Sequence, residues 1–364
     1  MSVPPLSIFS LLDKTADAHQ RSLLSHAFSQ QNINECMPLI MQKVDLLLEL
    51  FDKDVDRTTD VLLRFRLFAL DFVGELFLGS SFGGLEAGTA PQFLHDTDDF
   101  FLLGGLEWHF PALVAVLRRL PLSGLQSFLA CRERVTQNYI KRYGRESKRG
   151  DLLTKILCPQ RETDLMTDRE TYMEVGNLVF AGTDTTSITL TYLFWALARF
   201  PDWQDRIRVE LDQKLGDAAR GPYDHQSIRS LPTLEAVIND GLRLDPTAPG
   251  SLPRITPPDG WQYKGYKIPA KTVISKQCYS THRDATAFED ADAFLPERWF
   301  GKGLAVLELK LVLVALLSRY AVRLPPQTSE ESMEMRDHFI VLPRSGKCEL
   351  PFEPLTPCTT SQAR

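Results

Sequence analysis

The stretch from Thr167 to Phe200, TDRETYMEVGNLVFAGTDTTSITLTYLFWALARF, constrains this chain more than any other. Thr167 followed three residues later by Glu170 has the form of a capping box, and Pro201 cannot continue a helix, so both ends of one long helix are marked. At about 1.5 Å per residue the helix would be roughly 50 Å long, enough to cross a whole domain. Between Glu174 and Arg199 its only charged residue is Asp184, so it must be buried. Asn177, Thr183, Thr185, Thr186, Ser187, Thr189 and Thr191 interrupt the apolar run that a membrane span needs. The expected element is the core helix of a soluble domain.

At its middle, Ala181-Gly182-Thr183-Asp184-Thr185-Thr186 places a helix-weakening glycine beside an acid and several hydroxyls. Hydroxyls inside a helix can bond back to carbonyls, and a glycine opens room beside the backbone for a ligand or water. A buried polar kink that only serves packing is the competing reading, and the hexapeptide alone does not choose. Composition adds limits rather than a function. The chain has 364 residues, 43% hydrophobic and 24% charged, as a globular protein does, and its net charge of −6 argues against nucleic acid as a partner. Cys36, Cys131, Cys158, Cys278, Cys348 and Cys358 show no CxxC or CxxH spacing, so neither a zinc site nor a disulfide framework is signalled. The N-terminus MSVPPLSIFSLLDKT lacks the basic region and long apolar run of a signal peptide or anchor.

Asp17 to Asp99 reads as successive amphipathic helices: His19 to Phe28, Pro38 to Phe51, and Thr59 to Phe77 ending at Gly79. Phe93 to Leu125 is strongly apolar, either core or a lid over an apolar ligand, and Arg132 to Arg149 is a charged helix. After the long helix, Asp202 to Leu215 forms a surface helix stopped at Gly216, and Leu234 to Leu244 another, with Asp240 and Arg243 three apart on one face. The period then becomes two. Trp261 to Ile268 is a hairpin and Thr272 to Tyr279 a strand containing Cys278. A last strong helix spans Lys302 to Arg319, with strands near Ala321 to Leu324 and His338 to Leu342.

The ordered set AGTDTT, acid-x-x-Arg (Asp240, Arg243), Leu252-Pro253-Arg254, His282-Arg283-Asp284, Pro296-Glu297-Arg298-Trp299 and GKGLAVLELKLVLVALL resembles the cytochrome P450 family of haem-thiolate monooxygenases, in particular fungal members that act on small secondary metabolites. The likeness runs from about Ser10 to Phe352. It implies a mainly α fold with small β-sheets, one cytochrome P450-like domain over 1–364, divided into N-terminal helices and a substrate lid (1–166), the central helix (167–200) and C-terminal helices and sheets (201–364). It also implies a haem b cofactor, an NADPH-cytochrome P450 reductase as redox partner and a small apolar substrate. By the resemblance, Asp184 and Thr185 are the acid and alcohol that deliver protons beside the haem, with Gly182 opening the helix there. Asp240, Arg243 and Arg298 match the buried ionic triad behind the haem, and Arg254 and Arg21 match positions that hold its propionates. Two departures accompany this. The family's first triad acid is Glu, so Asp240 is one methylene short and its ability to satisfy both guanidinium groups is in question. The aromatic or His usual one turn before Arg21 is Asp17.

A larger departure is an absence. In the family a loop FxxGxRxCxG follows PERW, and its cysteine binds the iron. Here Phe300 runs straight into Gly301-Lys302-Gly303-Leu304-Ala305, and the cysteine's place falls on Trp299, whose indole cannot ligate iron. No metal-ligating residue is assigned. The thiolate supplies the electron push for O–O cleavage, so the expectation is impaired or absent turnover in a truncated form of a monooxygenase. The alternative is a non-enzymatic relative that binds a ligand or partner. The chain as it stands is expected in the cytoplasm without a transmembrane anchor, whereas full-length family members are anchored to the endoplasmic reticulum.

Overall fold

The capping box at Thr167 is present: its hydroxyl accepts from the Glu170 N–H at 3.2 Å, and the Glu170 carboxylate accepts from the Thr167 N–H at 2.8 Å. The helix it starts runs Asp168–Arg199, as the sequence predicts, in a computed structural model that describes residues 13–98, 152–157, 166–298 and 307–355, with a few single positions excepted and a few isolated ones added. Thr167→Ala should destabilise the protein by about 1 kcal/mol in urea unfolding, the usual cost of losing a cap.

The principal helices are α1 (Lys14–Ser25), α2 (Met37–Lys53), α3 (Val61–Leu78), α4 (Asp168–Arg199), α5 (Pro201–Leu215), α6 (Pro232–Leu244) and α7 (Leu307–Leu317). Short antiparallel strands accompany them: β1 (Thr58–Asp60), β2 (Ser251–Ile255), β3 (Trp261–Tyr263), β4 (Tyr266–Ile268), β5 (Val273–Gln277), β6 (Tyr320–Val322), β7 (Met335–His338), β8 (Ile340–Pro343) and β9 (Glu349–Pro354). The class is therefore mainly α with small sheets. None of the described helices is long and apolar enough to cross a membrane.

α3 and α4 pack along each other and carry the core. Phe65 of α3 meets Phe194 of α4 at 5.2 Å between ring centroids, Phe194 meets Phe352 of β9 at 5.8 Å, and Phe352 meets Phe51 of α2 at 4.5 Å. Each such side chain, fully buried, contributes about 1.5–3 kcal/mol. α6 crosses α4 at Gly241, where a Cβ would collide with Leu193 Cδ2. That close approach needs the glycine.

Several expectations shift. The helix expected from Thr59 begins at Val61, because Thr58–Asp60 pairs with β9 and the Asp60 carboxylate caps the helix, accepting from the N–H of Leu62, Leu63 and Cys348. β9, which the sequence reading missed, joins β1 and β6 in one sheet. Cys278 is not in a strand: β5 stops at Gln277 and Cys278 opens a short helix to His282. The strand expected over His338 to Leu342 is the hairpin β7–β8, which turns at Phe339 with φ of 79°. The hairpin β3–β4 turns through Lys264 and Gly265, both at positive φ. Most of Phe93 to Leu125 and of Arg132 to Arg149, together with residues 302–306 of the last helix, lie outside the described residues.

Candidate active site

Hydroxyls along the middle of α4 bond back to the helix as expected. Thr183 donates to Val179 O at 2.7 Å, Thr185 to Ala181 O at 2.6 Å, Thr189 to Thr185 O at 2.7 Å and Thr191 to Ser187 O at 2.8 Å. The AGTDTT segment thus presents two faces. Thr183 and Asp184 are buried, whereas Ala181 is exposed and Gly182, Thr185 and Thr186 are half-buried, an open stretch in an otherwise covered helix.

Asp184 turns toward α3. Its Oδ1 accepts from Nε of Arg66 at 3.0 Å, and the other two guanidinium nitrogens donate to Asp98 at 3.1 and 2.6 Å. Burial pushes the Asp184 carboxyl up from its ordinary pKa, and Arg66 opposes that rise. Burial also works against the Arg66 charge, but the two carboxylates outweigh it and hold the guanidinium above its usual value. Thr185 lies on the other, open side with its proton committed to Ala181 O. The structure places the acid and the alcohol side by side in the chain without a hydrogen bond between their side chains.

The room expected beside Gly182 is partly taken. A Cβ there would lie 2.7 Å from Cγ1 of Val73, so the glycine lets α3 and α4 approach. Thr186, on the open side, donates to Oε2 of Glu308 in α7 at 3.2 Å. Burial lifts Glu308 to a pKa of about 7, and the Thr186 bond pulls it back. Arg66, Asp98 and Glu308 were not singled out from the sequence. The signal was there: Arg66 and Glu308 are charges on helices that are apolar nearly all round, and a buried charge requires a partner.

Asp240 and Arg243 form the buried pair, Oδ1 to Nε at 2.7 Å. Among the described residues the shorter acid is served by the Arg243 guanidinium and by the backbone. Asp240 Oδ2 accepts from the N–H of Leu295 at 2.6 Å, so both oxygens are partnered. Arg243 gives its remaining protons to carbonyls of His282 (3.2 Å), Ala293 (2.7 Å) and Ala291. Arg298 ends the 3-10 turn Pro296–Arg298, and its side chain lies outside the described residues.

The two other arginines stand apart. Arg21 is 62% exposed and pairs with Asp17 in its own helix at 2.8 Å. The Asp17 that departs from the family pattern is therefore Arg21's partner. Arg254 is exposed on β2 and donates to its neighbour Pro253 O at 2.8 Å. A cleft of about 380 Å³ at the far end of α4 is lined by Trp195, Asp245, Tyr279 and the β7–β8 hairpin and contains none of the motif residues. Burial raises Asp245 there to about 6 against the pull of Arg283 and Arg199.

Ala181, Gly182, Thr185 and Thr186 form the least covered stretch in the middle of α4. Cys36 and Cys348 are buried in the core and Cys278 follows β5 directly, and burial pushes the Cys348 thiol up, away from the thiolate. No group of three or more His, Cys, Asp or Glu able to hold a metal occurs among the described residues.

Comparison with known proteins agrees with this architecture. The family profile described as Cytochrome P450 matches residues 10–300. Cytochrome P450 monooxygenase tazI of Aspergillus terreus is 30% identical over 381 residues, covering 94% of this chain and 77% of that protein. Cytochrome P450 monooxygenase hkm5 of Aspergillus hancockii is 29% identical over 375 residues, covering 93% and 73%. Tryprostatin B 6-hydroxylase of Neosartorya fischeri is 28% identical over 357 residues, covering 88% and 63%. A profile match over most of the chain, together with a 30% identical relative aligned over nearly all of it, places this chain in the cytochrome P450 family.

Proposed function

We propose that this chain is a form of a fungal-type monooxygenase for a small apolar secondary metabolite, and that as it stands it does not turn over. Family membership implies haem, a reductase partner and an apolar substrate. The observation that carries the second half is the junction Phe300-Gly301, where the sequence passes from Pro296-Glu297-Arg298-Trp299 into the last helix with no cysteine between. The profile match ends at the same residue. The 375 and 381 positions aligned with the two Aspergillus relatives also exceed the 364 residues of this chain, so those relatives carry residues inside the matched region that it lacks.

In the complete enzymes haem supplies dioxygen activation, and a cysteine thiolate drives it. Toward such a group, this chain's own residues would do the following. Ala181 and Gly182 would border the ring's face, Thr185 would stand at its edge, and Asp184, held by Arg66 in a dry interior, would be the proton store one residue away. Glu308 with Thr186 offers a second acid on the same open side. Asp240 and Arg243 would brace the segment that leads to Phe300, through the backbone of Ala291, Ala293 and Leu295. Arg254 is free to turn toward a propionate; Arg21 must first leave Asp17. In purified protein reconstituted with haem, the reduced carbon-monoxide difference spectrum should show no thiolate-type Soret band. A thiolate band at full occupancy would overturn the reading.

The alternative, a non-enzymatic ligand-binding relative, draws on the same open face of α4. Apolar metabolites binding the chain with no haem added would favour it.

A further inference from the structure

The cleft at the far end of α4 has a chemistry of its own, apart from every residue the family motifs single out. At about 380 Å³ it is in the size range that takes a small organic molecule. Asp245, Glu330, Glu334 and Asp337 line it, and no Lys, Arg or His among the described residues does. Met333, Met335 and Val341 give it an apolar wall. Asp245 is also the C-cap of α6, so the negative end of that helix adds to the field of the four acids. Such a cleft repels an anion and attracts a cation.

Three of the acids are engaged already. Glu330 pairs with Arg199 at 2.5 Å, Glu334 with Arg344 at 3.1 Å, and Asp337 accepts from the Phe339 N–H at 2.8 Å. Asp245 is served less well. Its Oδ1 is 4.0 Å from Nη2 of Arg283, too far for a hydrogen bond, and that guanidinium turns its Nε to Asp292 at 3.2 Å. A side chain only 13% exposed leaves the Asp245 carboxylate little water. Trp195, also in the lining, is unserved in the opposite sense. It is 8% exposed, and its buried indole N–H meets no acceptor among the described residues, although a buried indole N–H ordinarily has one. The cleft thus lacks a donor for Asp245 and an acceptor for Trp195.

We propose that this cleft binds a small organic amine: its ammonium donates to Asp245, a hydroxyl or carbonyl oxygen beside it accepts the Trp195 N–H, and its apolar body lies against Met333, Met335 and Val341. Other occupants match less. A carboxylate or phosphate could take the indole N–H but would face four acids. A bare metal ion would find one unengaged carboxylate beside an apolar wall, and no group of three or more His, Cys, Asp or Glu able to hold one occurs among the described residues. Water could serve each polar group singly but would gain nothing from the apolar wall. The site needs neither haem nor the open stretch of α4, so it stands or falls apart from the proposed function.

Phenylalaninol, which carries ammonium, hydroxyl and ring in a small frame, is the probe. Calorimetric titration of the full chain with no haem added, at about pH 7.5, where an alkylamine is protonated and Asp245 is ionised, should give a Kd of about 100 µM or tighter. Phenylpropanol, lacking the amine, and phenylpropanoate, carrying the opposite charge, should each bind at least about tenfold more weakly. Asp245→Asn, the same size without the charge, should weaken phenylalaninol at least about tenfold and leave phenylpropanol unchanged. Trp195→Phe, which keeps a ring but no N–H, should weaken phenylalaninol about threefold or more and phenethylamine, which has no hydroxyl, hardly at all. The ligand series on the unaltered chain decides even where a variant does not fold. The proposal is overturned if phenylalaninol does not bind up to about 1 mM, if the neutral alcohol or the anion binds the unaltered chain as tightly, or if either folded variant binds phenylalaninol as before.

Discussion

Arg66→Met should destabilise this protein by about 3–5 kcal/mol, measured as the loss in urea-unfolding free energy at neutral pH. Arg66 is the hinge of a three-member charge cluster. One nitrogen serves Asp184 at 3.0 Å, and the others serve Asp98 at 3.1 and 2.6 Å. The two acids differ in what they lose. Asp98 is 41% exposed at its side chain and falls back on water, whereas Asp184 is 4% exposed and has no such recourse. Removing the guanidinium therefore strands a buried carboxylate, which is the costly case; removing both partners of such a pair is often close to neutral. Accordingly Arg66→Met with Asp184→Leu should recover most of the loss, a coupling of several kcal/mol in a double-mutant cycle. A single-variant loss below about 1 kcal/mol would show that Asp184 is not held by Arg66. The cluster also bears on the proposed function, because a carboxyl kept dry and gripped by one cation can store a proton but must be released to move it.

How much of this was legible depends on the range of the interaction. The long helix, its capping box and its buried polar middle follow from local rules, since Thr167, Glu170 and Pro201 lie within one turn of the ends they mark. Asp240 and Arg243, three apart on one helix, were likewise readable as a pair. What was not readable crosses the chain. Arg66 reaches Asp184 over 118 positions, and Thr186 reaches Glu308 over 122. Leu295, whose backbone N–H completes Asp240, carries no side-chain signal for that role at all. β9 escaped notice because its six residues, ELPFEP, include two prolines and alternate only briefly. It is held as a strand by pairing with β1 on one side and β6 on the other, a tertiary effect that outweighs weak local propensity. Arg254 and Arg21 were assigned by resemblance to a group that would itself organise them. In the structure each bonds to a near neighbour in sequence, Arg254 to Pro253 O and Arg21 to Asp17.

Glu308 leads to the second large effect, a stability that falls as the solution becomes alkaline. In the unfolded chain this carboxyl titrates near its ordinary 4.5, and in the folded protein burial lifts it to about 7. A raised acid favours the folded state only while it is protonated. The stabilisation is present below the unfolded pKa and is lost as pH rises through the window from about 4.5 to about 7, after which the buried charge is carried in full. Converted at about 1.36 kcal/mol per unit, the rise from 4.5 to about 7 sets an upper bound of about 3.4 kcal/mol on the penalty. Glu308→Gln should remove it: the variant should match wild type near pH 4.5 and exceed it by about 1–3 kcal/mol at pH 8, because the amide keeps an acceptor for Thr186 and never ionises. Asp184 and Asp245 are raised acids as well and tilt the wild-type curve in the same direction, so the measurement that isolates Glu308 is the difference between the two pH profiles. Parallel profiles would mean that Glu308 is charged without penalty in the folded protein. A difference that opens between about pH 4.5 and 7 and stays constant above that would identify Glu308 as the buried acid that titrates in this window.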